Sequence, residues 1–400
     1  MWCIRGKAGC LGPAAARTMP EATGEYGAIC EGAVAVYFDS DTHVDECDDT
    51  WANMSEPMKA LTPVTVFLDK ETLPPYIRPG YDRCWFIDGQ LHNRQIRSDE
   101  RTGTTVEIRE LYDVPARLAD MDSLNVGIQV LYPTLFLNEL SEHPLLAVAL
   151  CQSYNRWLAE RCAESNGRIQ WVAMMPLVDM EATLAEMRWA KEHGAVGVHK
   201  RAQEVQNRLP ADRYFAPFYA QAFELDLPIC MHTGQAWAPT NNHLAMLNTP
   251  GAATLLSAFS SVVGGKLPSK FPGLRFAFIE AGAGWVPYAL WMQRASTTLN
   301  SFDNRSALDP EAVLRAAEVQ RGILTELNIW VTCETSEDIS YLIDVLGDDQ
   351  LIVGSDYGHP DRASIRDAHG LMYKIPGVKE SSADKLTSLN AANFYGVPAI

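Results

Sequence analysis

Eight short apolar runs, separated by stretches with helical periodicity, constrain this chain more than any other feature. They are AVAVYFD (33–39), NVGIQVLY (125–132), RIQWVAMM (168–175), AVGVH (195–199), LPICMH (227–232), LRFAFIE (274–280), NIWVTC (328–333) and QLIVGSD (350–356). Their apolar residues are near-continuous rather than alternating, which marks strands buried on both faces and therefore a parallel sheet. The stretches between them carry helix signals. Asp179 precedes a helical pattern with Leu184, Met187 and Ala190 on one stripe and Gly194 as its stop. Residues 143–167 and 212–226 read the same way. Eight strand–helix units predict an α/β chain folded as a (β/α)8 TIM barrel.

A barrel needs about 250 residues, and this chain has 400. Most of the excess is the segment 47–118, rich in Pro, Trp, Tyr and Arg and too long for an ordinary connection. It is expected to be an elaborated first βα loop forming a lid, inside a single domain over 31–400. Residues 1–30 lack the apolar core of a secretory signal and read as a disordered tail.

Composition narrows the partners. A formal charge of −17 and a pI near 5.0 argue against nucleic acid. No apolar run approaches the roughly 20 residues of a membrane span. Nine cysteines without a Cys-x-x-Cys pair speak against a disulfide framework and a thiolate zinc site. Reduced thiols and a cytoplasmic setting are the expectation. The partner expected is a small-molecule carboxylate. The tryptophans of the insert serve either a homo-oligomer contact or a pocket wall.

In a barrel of this kind the reactive groups gather at the C-terminal ends of the strands. Strand one ends in Asp39, Asp41 and His43, strand four in His199-Lys200-Arg201, and strand five in Met231-His232-Thr233-Gly234. Strand six ends in Glu280-Ala281-Gly282, and strand eight in Gly354-Ser355-Asp356, followed by Tyr357-Gly358-His359. A lone strand-end histidine is more often a hydrogen-bonded structural residue. Four ionisable groups arriving at one rim are harder to explain that way. Asp41 and His43 are two residues apart and point to one side of an extended chain. With His232 and Asp356 they form an N/O ligand set that leaves a position open, suited to one divalent ion, Zn²⁺ first and Mn²⁺ second. Glu46 either reaches the site or caps a turn, a support role that would tune the His43 tautomer only through a hydrogen bond to the ring, and Asp45 reads as a solvated charge.

The motifs DSDTHVDE, MHTG, FPGLRFAFIEAGAGWVPYALWMQR, GSDYGHPD and NAANFYGV, spread from residue 34 to the C-terminus, resemble the amidohydrolase superfamily. The resemblance is to its aminocarboxymuconate-semialdehyde-decarboxylase-like branch. It implies that the family's His-x-His falls on Asp41 and His43, so that the first ligand has become Asp. It places the strand-five ligand on His232 and the strand-eight aspartate, a ligand and proton carrier, on Asp356. The strand-six position, usually His in the decarboxylases, is Glu280. That residue is open to three roles: proton transfer, ligation, or bracing of the strand end. His359 joins Asp356 and Glu280 as a catalytic candidate, with a structural role as its alternative.

The insert also offers His92, Arg94, Arg97 and Arg101 among Tyr81, Trp85 and Phe86. A guanidinium fork beside an aromatic ring suits an aromatic carboxylate, although a solvated charged face explains the same residues. Arg94, Arg97, Trp85 and, at the end of strand four, Lys200 are the substrate-binding candidates. The function expected is metal-dependent, non-oxidative decarboxylation of an aromatic or cyclic unsaturated carboxylate. The alternative is hydrolysis of an amide, ester or C–C bond by an activated water at the same site. A metal-free barrel used for binding or assembly is the third reading.

Overall fold

The computed structural model describes residues 36–69, 83–94, 98–202, 205–234, 250–299, 311, 321–360 and 364–398. The expected tail, Tyr81 and Arg97 lie outside them. Strand β1 (Tyr37–Val44) is followed by three short strands of the insert, β2 (Val64–Phe67), β3 (Arg83–Ile87) and β4 (Gln90–Asn93). The remaining strands are β5 (Val126–Pro133), β6 (Ile169–Met174), β7 (Gly197–Arg201), β8 (Ile229–His232), β9 (Phe276–Ile279), β10 (Ile329–Cys333) and β11 (Leu351–Val353). The sheet runs β1-β5-β6-β7-β8-β9-β10-β11, with parallel pairing throughout. Each of the eight expected runs supplies one strand, and the (β/α)8 barrel stands.

The seam between β11 and β1 is closed just past the end of β11. Asp356 donates its N–H to the Asp41 carbonyl at 2.9 Å, and His43 donates to the Tyr357 carbonyl at 2.9 Å. Thr42 and Tyr357 form a parallel bridge. Gly354 makes this approach possible, because a Cβ there would lie 2.2 Å from the Cβ of Asp41. Crossover helices flank the strands as expected. The Asp179 side chain accepts from the Ala182 N–H and starts the helix Met180–Glu192, which Gly194 follows at φ 89°.

Two apolar clusters follow from strand alternation. Phe38, Ile128, Val130, Val172, Cys230, Ala277, Ile279 and Ile352 fill the barrel, closed by Phe394 and Tyr395 of the last helix. Leu131, Trp171, Val198, Met231, Phe278 and Val331 pack outward against the helices. The insert holds a small antiparallel sheet, β2-β3-β4, that the periodicity of the segment does not announce. Its hairpin turns on Asp88-Gly89, both at positive φ (48° and 75°). Asp-Gly is the favoured pair for such a turn.

Candidate metal centre

Asp41 and His43 stand at the end of β1, and the barrel brings His232 and Asp356 to them. Asp41 Oδ1 lies 3.4 Å from His43 Nε2 and 3.3 Å from His232 Nε2. His43 Nε2 lies 3.4 Å from Asp356 Oδ1. All four side chains are buried. His43 Nδ1 is 2.9 Å from the Pro133 carbonyl, and His232 Nδ1 is 2.7 Å from the Thr233 carbonyl. A carbonyl only accepts, so Nδ1 carries the proton in each ring and each Nε2 presents a lone pair.

Two imidazole lone pairs therefore face carboxylate oxygens in a buried site, and among the described residues His43 Nε2 makes no hydrogen bond. Acceptors turned on one another without a donor are costly to bury. A divalent cation is the group that removes the conflict. The donor set fits one: Asp41, His43 and His232 present ligand atoms within 4.8 Å of one another, as do His43, Asp356 and His359. Burial, with His359 beside it, pushes His43 down to about 4, so the ring is neutral as a ligand must be.

Asp356 occupies the left-handed region at φ 51°, an unusual conformation of the kind that tertiary structure enforces at functional sites. Its Oδ2 accepts from Ser364 Oγ at 2.6 Å, and its Oδ1 lies 2.7 Å from His359 Nδ1. The His359 ring stacks on His43 with centroids 3.8 Å apart, and its Nε2 meets Thr134 Oγ1 at 3.2 Å. Glu280 lies on the other side of His232, its Oε2 3.5 Å from Nδ1 rather than from the ligand nitrogen. Glu280, Ala281 and Gly282 are all left-handed (φ 65°, 66° and 70°) and turn the chain sharply after β9. Glu337 holds that turn by accepting from the N–H groups of Ala283 and Gly284.

The other carboxylates of the first motif are structural in this geometry. Glu46 takes the turn-capping alternative of its support role. It accepts from the N–H groups of Thr134 (3.2 Å) and Leu135 (2.8 Å), and burial pushes it up to about 8. It thereby holds the loop that carries Thr134 to His359. Asp45 is not simply solvated, since it pairs with Arg109 at 3.3 Å. Asp39 accepts from both the N–H and the hydroxyl of Ser355 across the seam, and burial raises it to about 7.

Three of the substrate-binding candidates, Trp85, Arg94 and Lys200, fall among the described residues. Trp85 is buried edge-on to Trp51, with Arg94 over its ring at 4.2 Å. Among the described residues Arg94 binds Asp48, Thr65 and Glu110. Lys200 pairs in register with Met231, faces the helix layer and sits over Phe215 at 4.8 Å. Its neighbours face the other way. His199 pairs with Cys230 and Arg201 with His232, so both point to the barrel side. Arg201 meets Glu139 at 3.4 Å, and among the described residues neither ring nitrogen of His199 has a hydrogen-bond partner. Strict alternation along His199-Lys200-Arg201 is the signal that could have separated them.

A parallel barrel whose strand ends converge on a buried His/Asp donor set defines a class of metal-site barrels. The amidohydrolase family matches residues 116–397. The chain belongs to that family. It is 27% identical over 202 residues to a 2-keto-4-carboxy-3-hexenedioate hydratase of Sphingobium sp. (strain NBRC 103272 / SYK-6), a match that covers 48% of this chain and 55% of that relative. An amidohydrolase from Mycobacterium avium subsp. paratuberculosis K-10 has a similar fold, with a TM-score of 0.68 at 19% identity, over 91% of this chain and 98% of that one. A 5-carboxyvanillate decarboxylase from Novosphingobium aromaticivorans DSM 12444, solved with bound manganese, gives 0.60 at 18% identity, over 90% and 97%. Among the described residues no helix is long and apolar enough to cross a membrane.

Proposed function

We propose that the chain is a metal-dependent, non-oxidative decarboxylase of an aromatic or cyclic unsaturated carboxylate. The observation that carries the reading is the pair of buried Nε2 lone pairs, of His43 and His232, turned toward carboxylate oxygens of Asp41 and Asp356. These four residues would hold one divalent ion, Zn²⁺ or Mn²⁺. Such an ion supplies Lewis-acid polarisation of the substrate's carboxylate and of a neighbouring hydroxyl.

The chain's own residues manage the proton. Asp356 is the donor to the ring carbon that bears the carboxylate. A C–H bond forms there, the C–C bond to the carboxylate breaks, and its electron pair returns to the ring as CO₂ leaves. His359 Nδ1, 2.7 Å from Asp356 Oδ1, restores the proton to Asp356. Thr134 positions the other ring nitrogen. Glu280 steadies the Nδ1 side of His232 and so sets the direction of its lone pair. We take the insert 47–118 as the lid. Trp51 supports this by packing 6.0 Å, ring to ring, from Phe136 in the loop after β5.

Hydrolysis uses the same ligands and remains the second reading, favoured by the acid-rich ligand set. CO₂ release across hydroxylated benzoates, set against ammonia or alcohol release from amides and esters, separates the two. CO₂ alone is expected, and Asp356→Asn should abolish it while leaving the fold intact. Protein free of stoichiometric metal, with a stability indifferent to chelators, would sink both readings.

A further inference from the structure

A cleft opens between the ends of β6 and β7 and the loop after β5, joined to the proposed metal centre through His199, whose ring lies 6.1 Å from that of His232. Phe136, Leu140 and Met174 line it, with His199, Arg201 and Glu139 as polar groups. Three observations mark it as a built site. His199 is 1% exposed and neither of its nitrogens has a hydrogen-bond partner among the described residues, so it offers the cleft an N–H and a lone pair. Arg201 stands in register with His232 on the same face of the sheet, and the ring of its neighbour His199 lies 6.1 Å from that of His232. The donor set itself is rich in carboxylates, in a chain of net charge −17. An anionic substrate needs a local cation there, and Lys200 is turned the other way.

Glu139 shows which anion the guanidinium accepts. Its carboxylate sits 3.4 Å from Arg201, and its side chain is 29% exposed, so it can withdraw to water when another carboxylate arrives. The exchange keeps the charge of Arg201 balanced in both states, which a buried guanidinium requires.

We propose that this cleft anchors a second carboxylate of the substrate, with Arg201 as its binding residue. The substrate class is then a ring dicarboxylate, one carboxylate reacting at the donor set and the other on Arg201. His199 serves a polar substituent between them. This inference rests on the mouth being a carboxylate-processing site.

The test is binding of isophthalate and terephthalate against benzoate, by titration calorimetry on the full chain. Each is measured with Mn²⁺ bound and again after chelation. A charge-assisted fork predicts that at least one diacid binds on the order of ten- to a hundredfold more tightly than benzoate. Arg201→Gln should bring that ratio to within about twofold of unity, and Arg201→Lys, which keeps the charge but loses the fork, to an intermediate value. Glu139→Gln, by removing the competing carboxylate, should tighten the diacid. If Arg201→Gln fails to fold, the lysine and Glu139 variants decide. A ratio indifferent to Arg201, a wild-type protein with no preference for a diacid, or binding of none of the three acids overturns the proposal. A protein that takes up no metal yet keeps the Arg201-dependent ratio refutes the metal reading and leaves this one standing.

Discussion

Lys200 gives a prediction that the structure quantifies. It is fully buried at the outer face of β7, against Phe215, and burial reinforced by Arg201 pushes its ammonium down from 10.5 to about 7. A displacement of that size corresponds to about 5 kcal/mol of penalty on the charged form in the native state. The face of Phe215 and the carbonyl of Arg201, 3.4 Å away, return about 1–2 kcal/mol each at most. Methionine has a similar length and no charge. Lys200→Met should therefore stabilise the fold by about 1–3 kcal/mol below pH 7. The sign with pH follows from linkage. Between about 7 and 10.5 the unfolded chain binds the proton and the native state does not, so wild-type stability rises with pH in that window. The advantage of the variant should be largest near pH 6 and fade toward pH 10. Urea denaturation at several pH values reads it directly. A variant no more stable at pH 6, or an advantage that grows with pH, refutes the reasoning. Weakened substrate binding without a gain in stability would return Lys200 to the substrate.

Other outcomes follow from the same geometry. His232→Ala should lower metal affinity by more than about tenfold, the loss that even an outer partner of a ligand can cause, measured as bound metal after dialysis. Glu46→Gln should flatten the pH dependence of thermal stability. The native state holds the Glu46 proton between 4.5 and about 8, so wild-type stability falls as pH rises through that window. Gly354→Ala should cost about 1–3 kcal/mol, because its Cβ would meet Asp41 at 2.2 Å. It should also weaken metal binding, since the seam it forces apart positions Asp41, and the two losses should appear together in melting and metal-uptake curves.

The barrel was legible because a parallel strand is buried on both faces, and burial on both faces writes itself as an unbroken apolar run. Asp41 and His43 were legible for a related reason, since a spacing of two on an extended chain is a statement about one face. His232 and Asp356 needed only the rule that reactive groups sit at strand ends. The sheet of the insert was harder to read. Its strands are short, and its one local signal is the Asp88-Gly89 turn.

Tertiary structure alone decided which way each charged side chain was spent. Arg94 offers the same fork in sequence as Arg201, yet it is held by Asp48, Thr65 and Glu110. Lys200 and Arg201 are neighbours with opposite fates, because the register with β8 aims one at Phe215 and the other at the level of His232. Glu280 faces the protonated side of His232 because residues 280–282 all turn left-handed, and no local propensity predicts that. Periodicity and spacing determined the strands and two halves of a donor set. Register, which is settled only when the strands pair, determined the rest.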